Sequence, residues 1–139
     1  MINKIVDQLY VGDLRDALML QVFNSENITA VLNVCEEKDN ILSPIKYASI
    51  PFADGKSIPR EQFESCMLWL TNQYKQGDNI LIHCTLGVSR SPTICAAFMA
   101  KIGLAPTIHD AYQIVKASRN QANPSPIVYA SATVLLEVE

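Results

Sequence analysis

The sequence predicts an α/β fold: a central, mostly parallel sheet of roughly four to five strands with helices on both faces. Three observations carry that prediction. Short apolar runs at 31–34 and 80–82 have the length and composition of strands covered on both sides. Around them lie stretches with apolar residues at helical spacing, bounded by proline, glycine or a hydroxyl cap. The run at 80–83 then leads through a short loop into a helix-compatible stretch, which is the order of a strand–loop–helix junction at the carboxyl edge of a parallel sheet.

Gln8 to Val11 reads as a short strand. Leu14 to Phe23 reads as a helix, with Leu14, Leu18 and Val22 at a spacing of four on one face. Thr29 to Val34 and Lys46 to Pro51 are strands, and the polar stretch Glu36 to Ser43 between them is a loop in which Asp39 is solvated. Pro59 suits a first helical turn and Glu61 the positive end of the dipole. That helix runs to Gln76, where Gly77-Asp78-Asn79 stops it. Asn79 to His83 is the central strand. Ser91 or its neighbours open the next helix, which ends at Gly103. Thr107-Ile108-His109-Asp110 resembles a capping box with Asp in place of Glu, and the helix behind it turns Ala111, Ile114 and Val115 inward. A last helix, Ile127 to Glu137, follows the prolines at 124 and 126.

At 139 residues the chain reads as one domain, 1–139, with enough mass to bury a core without staples. A net charge of −3 and the lack of any Lys/Arg block argue against a nucleic-acid partner. The four cysteines, at 35, 66, 84 and 95, have neither CxxC nor Cys/His spacing, so no metal and no cofactor is expected. Met1-Ile2-Asn3-Lys4 does not begin a secretory signal, and the apolar runs are too short to cross a membrane. The expectation is a reduced, cytoplasmic protein, monomeric, with no membrane partner.

One run decides the chemistry: His83-Cys84-Thr85-Leu86-Gly87-Val88-Ser89-Arg90-Ser91-Pro92. Taken alone, Cys84 would read as a core cysteine. Here it sits at the mouth of a helix N-terminus, whose first N–H groups lack intrahelical partners and form an anion cradle. Those dipoles and a nearby guanidinium favour the thiolate, which is the nucleophilic form. Arg90 offers a planar fork for two phosphate oxygens, and Gly87 permits a bend that a side chain would block. A thiolate beside a phosphate receptor points to phosphoryl transfer to sulfur. Expelling the leaving oxygen needs a carboxylic acid on another loop, and the candidates are Asp39, Asp54 and Asp78. Asp78 lies at the wrong end of strand 79–83, and Asp54, just before Gly55, is favoured.

The ten-residue run resembles the Cys-x5-Arg signature of the protein tyrosine phosphatase superfamily, and Gly87-Val88-Ser89-Arg90-Ser91 resembles its dual-specificity branch. The likeness continues along the chain in Leu9-Tyr10-Val11-Gly12, Val31-Leu32-Asn33-Val34, Pro51-Phe52-Ala53-Asp54 and Asn123-Pro124. It implies a small phosphatase core of that fold, acting through a phosphocysteine on Cys84. Arg90 and the backbone of Thr85, Leu86, Gly87, Val88 and Ser89 would hold the phosphate. Asp54, spaced as in the family, would be the acid and then the base for water. Ser91 would serve the departing sulfur, His83 would order the loop without acting as a base, and Asn33 would brace the loop from the neighbouring strand. Some relatives carry a cysteine at the position of Cys35 that forms a reversible disulfide with the nucleophile, which implies the same for Cys35 and Cys84.

The implied substrate is a phosphorylated protein or peptide, bearing phosphotyrosine and also phosphoserine or phosphothreonine. No lysine lies between Cys84 and Arg90, which favours a singly phosphorylated group over an inositol polyphosphate. Leu86 stands where the family pattern usually has alanine. The alternatives are a rhodanese or arsenate reductase built on a similar loop, a same-fold phosphatase of RNA 5′ ends or phospholipids, and a non-catalytic phosphate-binding module. Asp54 and Ser91 favour the phosphatase over the first, the acidic charge balance weakens the second, and the presence of Cys84, Arg90 and Asp54 together argues against the third.

Overall fold

Alternation along the strands assigns two faces to the sheet. Leu9, Val11, Ala30, Leu32, Ile80 and Ile82 point into one core, and Tyr10, Val31 and Leu81 into another. The computed structural model describes residues 1–138. Its elements are β1 (Asn3–Val6), β2 (Leu9–Gly12), α1 (Leu14–Met19), β3 (Ala30–Asn33), β4 (Lys46–Ser49), α2 (Arg60–Lys75), β5 (Ile80–His83), α3 (Arg90–Lys101), α4 (Ile108–Ser118) and α5 (Pro126–Glu137). The five strands lie in the order β1-β2-β5-β3-β4, with β1 antiparallel to β2 and the others parallel. The α/β prediction holds, and β5 is the central strand.

Helices cover both faces, unevenly. The larger core takes residues from α2, α3, α4 and α5, whereas α1 contributes to the smaller one, completed by Ile28, Ile41 and Ile45 of loops. α3 packs on β5 and β2 with α4 and α5 beyond it, so every residue from Arg90 to Met99 is buried. Completely burying Ile80, Leu81 and Ile82 contributes about 1.5–3 kcal/mol per side chain, as an upper bound. Central position thus anchors the strand that carries the loop at 84–89.

Four expectations need correcting. The chain has a first strand, β1, that its mixed composition hides; it is an edge strand paired on one side only. α1 ends at Met19, and its apolar face is not the one spaced by four: Leu18 and Val22 are exposed, while Ala17 and Leu20 are buried against Tyr10 and Val31. Asp39 is buried, 1% exposed, because the loop after β3 folds back over the smaller core. At 107–110 only half a capping box forms: Thr107 accepts the Asp110 N–H, and its hydroxyl donates to the Asp110 carboxylate. Register sets the rest. Gly12, Asn33 and His83 lie level across β2, β3 and β5, so the chain segments that follow these three residues meet at one sheet edge. No helix among the described residues is long and apolar enough to cross a membrane.

Candidate active site

The loop from Cys84 to Ser89 is shaped from outside. Leu14 N–H donates to Thr85 O at 3.2 Å, Arg119 Nε to Gly87 O at 2.7 Å, and Asn123 N–H to Val88 O at 2.8 Å. In a trans peptide the carbonyl and the next N–H point opposite ways. Each outward carbonyl therefore turns the following N–H, of Leu86, Val88 and Ser89, toward the concave side. Gly87 takes φ +66°, and a Cβ there would lie 2.4 Å from Arg119 Nη2 and 2.6 Å from Gly12 O. Only glycine fits.

Inside the curve is a cavity of about 270 Å³ lined by Asp54, Cys84, Thr85, Leu86, Val88, Ser89 and Arg90. Larger hollows of about 470 and 360 Å³ lie against α4 and α5 and contain neither cysteine nor arginine. Size is therefore a poor guide here, since phosphate recognition needs donors more than volume. Cys84 is 3% exposed, with its Sγ 3.3 Å from Ser91 Oγ. Arg90 donates from Nη1 to Glu36 Oε1 at 2.8 Å and Phe52 O at 3.0 Å, and from Nη2 to Thr85 Oγ1 at 3.1 Å. Its Nε has no acceptor among the described residues, so that edge of the fork is open. Burial pulls the Arg90 pKa down, but the Glu36 bond and the charges of Cys84 and Asp54 outweigh it and leave the group raised. Asp54 is exposed on the pocket wall, and Leu86 is exposed at the rim.

Beneath the loop, His83 points to the smaller core. Its Nε2 meets Asp39 Oδ2 at 2.6 Å and its Nδ1 faces Cys84 O at 3.4 Å, so each ring nitrogen is met by an oxygen. Asn33 does not reach residues 84–90. Its amide donates to Glu37 O and accepts from Cys35 N and Sγ, bracing the turn 33–37 instead. That turn carries the contact outward, since Glu36 binds Arg90 and Glu37 accepts from the Thr85 hydroxyl at 2.8 Å. The Thr85 bond is the main cause holding the Glu37 carboxyl below its usual range. Cys35 is buried, its thiol pushed up to about 11 mainly by that burial, and all four cysteines are free. Asp78 bonds Lys46 and Thr29 ahead of β5, at the opposite end of the sheet.

Cys84, Arg90, Ser91 and Asp54 thus come together as the sequence predicts, whereas Glu36, Glu37 and Arg119 were not anticipated, and Asp39, a candidate acid, instead pairs with His83. The acids had a signal: they follow a buried strand at its carboxyl end, where sites of parallel sheets form. Arg119 had none locally. Among the described residues no three His, Cys, Asp or Glu side chains are grouped to hold a metal.

The sequence pattern described as "Dual specificity phosphatase, catalytic domain" matches residues 9–131. The chain is 33% identical over 128 residues to human dual specificity protein phosphatase 15, covering 91% of this chain and 43% of that protein. It is 32% identical over 124 residues to human dual specificity protein phosphatase 22, covering 88% of this chain and 67% of that protein. The chain therefore spans about half the length of the curated relatives it matches. Among solved structures, that of DUSP15 superposes with a TM-score of 0.82 at 29% identity, covering 99% of this chain and 93% of that one. Human DUSP28 gives a TM-score of 0.85 at 19% identity with the same coverage, a likeness of fold.

Proposed function

This chain belongs to the dual specificity phosphatase family, and from that premise we propose that it hydrolyses phosphotyrosine, and also phosphoserine and phosphothreonine, on proteins through a phosphocysteine intermediate. The observation that carries the reading is the Cys84 sulfur in a cradle of inward N–H groups, with the open edge of Arg90 and the Asp54 carboxyl on the same cavity wall.

In the first step the Cys84 thiolate attacks phosphorus and the ester P–O bond breaks. Asp54 gives its proton to the leaving oxygen. Arg90 and the loop N–H groups take the charge that gathers on the equatorial oxygens. In the second step Asp54, now ionised, accepts a proton from water as the water oxygen attacks and the P–S bond breaks. The Ser91 hydroxyl donates to the departing sulfur. His83, held by Asp39, keeps the Cys84 backbone in place without meeting the substrate. Among the described residues lining the pocket Arg90 is the one cation, and Glu36, Glu37 and Asp54 border it with negative charge, which suits one phosphate rather than a polyphosphate. A cavity of about 270 Å³ without aromatic walls is compatible with short as well as long phosphoresidues.

We place the protein in the cytoplasm as a monomer with no nucleic-acid or membrane partner, because a thiolate nucleophile and four free cysteines suit a reducing compartment. Cys35 is proposed as a redox partner. Peroxide would convert the Cys84 thiolate to a sulfenic acid, and the Cys35 thiol would condense with it, releasing water, to form the disulfide.

Turnover of p-nitrophenyl phosphate in EDTA tests the function. Metal-independent hydrolysis, abolished in Cys84→Ser, is expected. Turnover that survives Cys84→Ser contradicts the assignment, and folded protein that binds phosphate without turnover is an interaction module.

A further inference from the structure

We propose that Arg119 is a positioning residue of the phosphate loop: its Nε ties down the Gly87 carbonyl and thereby aims the Val88 N–H at the bound anion. The proposal rests on the reading of that loop as a phosphate cradle.

Arg119 is 1% exposed at the end of α4 and has no carboxylate within ion-pair distance among the described residues. Its acceptors are neutral: Gly87 O from Nε at 2.7 Å, and Met1 O and Asn3 Oδ1 from Nη1, both at 2.8 Å. Burial lowers its pKa, offset by the more distant charges of Asp16, Asp13 and Cys84. A guanidinium still keeps its proton. Burying a cation without a paired anion is costly, and a role limited to fastening the first strand would not require a charge.

The three carbonyls that set the loop are held by two backbone N–H groups, of Leu14 and Asn123, and one side chain, Arg119. Only the third can be removed by a side-chain change that leaves the backbone intact. It acts on the peptide that needs most help. Gly87 has the least restricted backbone in the loop and sits at φ +66°, so without a fixed donor to its carbonyl the peptide is free to turn over. The fit is close on both sides, with Arg119 Nη2 packed where a Gly87 Cβ would be. The charge also stands behind the loop, on the side away from the cavity, where it adds to the field on the Cys84 sulfur without contacting a ligand.

Two substitutions separate positioning from fastening. In Arg119→Gln the amide nitrogen occupies the place of Nε and can still donate to Gly87 O, whereas Arg119→Met cannot. Both lose the Nη1 bonds to Met1 and Asn3. Tungstate, an oxoanion that reports on the cradle, is titrated by calorimetry, alongside thermal unfolding. Expected are equal losses of thermal stability, with tungstate affinity within about threefold of wild type for Gln and down about tenfold or more for Met. Equal weakening in the two variants, or weakening in neither, overturns the proposal. Should Arg119→Met fail to fold, Asn3→Ala loosens only Nη1; affinity within about twofold of wild type is expected, and a tenfold loss overturns it. Wild-type protein that binds tungstate without turning over an aryl phosphate removes the phosphatase reading and leaves the Gln–Met comparison decisive. Wild-type protein that binds no tungstate overturns both.

Discussion

Arg90 and Arg119 stand on opposite sides of the loop 84–89, both nearly buried, and they are partnered in different ways. Arg90 is clamped at Nη1 by a carboxylate and a carbonyl and at Nη2 by the Thr85 hydroxyl, which leaves Nε as its donor without an acceptor among the described residues. Arg119 gives Nε and Nη1 to neutral oxygens of the loop and the first strand. A cation anchored at one end and open at the other is arranged to receive an anion. One whose donors end on neutral oxygens of the loop and the first strand is arranged to hold the chain itself. The same residue type thus serves recognition in front of the loop and geometry behind it.

The contrast breaks most visibly at Arg90. Arg90→Lys keeps the charge but loses the fork, and kcat/KM on an aryl phosphate should fall by roughly 10²–10³. A loss under about fivefold would mean that point charge suffices and that the open edge is not used. Asp54→Asn should cost about a hundredfold in kcat and change the shape of the pH profile; an unchanged rate and profile remove Asp54 as the acid and base.

Gly87→Ala tests the space between the two arginines. A Cβ there meets Arg119 and Gly12 O, so the cost should exceed the roughly 1–2 kcal/mol that left-handed φ alone imposes. Gly103→Ala has φ +81° with open space around it and should cost only that amount, by denaturant titration. Equal costs would remove the steric part. Glu36→Gln should change kcat/KM by about two- to fivefold, because the acid is more than half exposed.

A separate effect is one of pH. Burial raises the thiols of Cys35 to about 11 and of Cys66 and Cys95 to about 12. Unfolded thiols ionise near about 8.5, so the stability that these neutral groups contribute is complete below that pH and lost as pH rises toward the folded values. Denaturant midpoints should be level from neutral pH to that point and fall above it. A level midpoint across the alkaline range would contradict the burial.

What was legible in the sequence follows from distance along the chain. Cys84, Arg90 and Ser91 share one loop, and their chemistry is local. The buried strands showed in their apolar runs, and β4 was legible as a strand though not as an exposed edge. α1 misled because spacing by four continued through Val22, three residues past the end of the helix. Asp39 reads as a loop acid until the loop folds over His83. Arg119, in Ser-Arg-Asn at a helix end, looks like a surface cation complementing the dipole. Its partners, at positions 1, 3 and 87, are brought to it only by tertiary structure.

The most direct test of the phosphocysteine route is rapid quench of Asp54→Asn with p-nitrophenyl phosphate, followed by peptide mass mapping. Nitrophenolate leaves with little help from an acid, so the first step persists while hydrolysis of the intermediate loses its base. One phosphoryl group on the peptide carrying Cys84, absent when Cys84 is also changed to Ser, is the expected result. Turnover with no phosphoryl group on that peptide, or with the group on another residue, contradicts it.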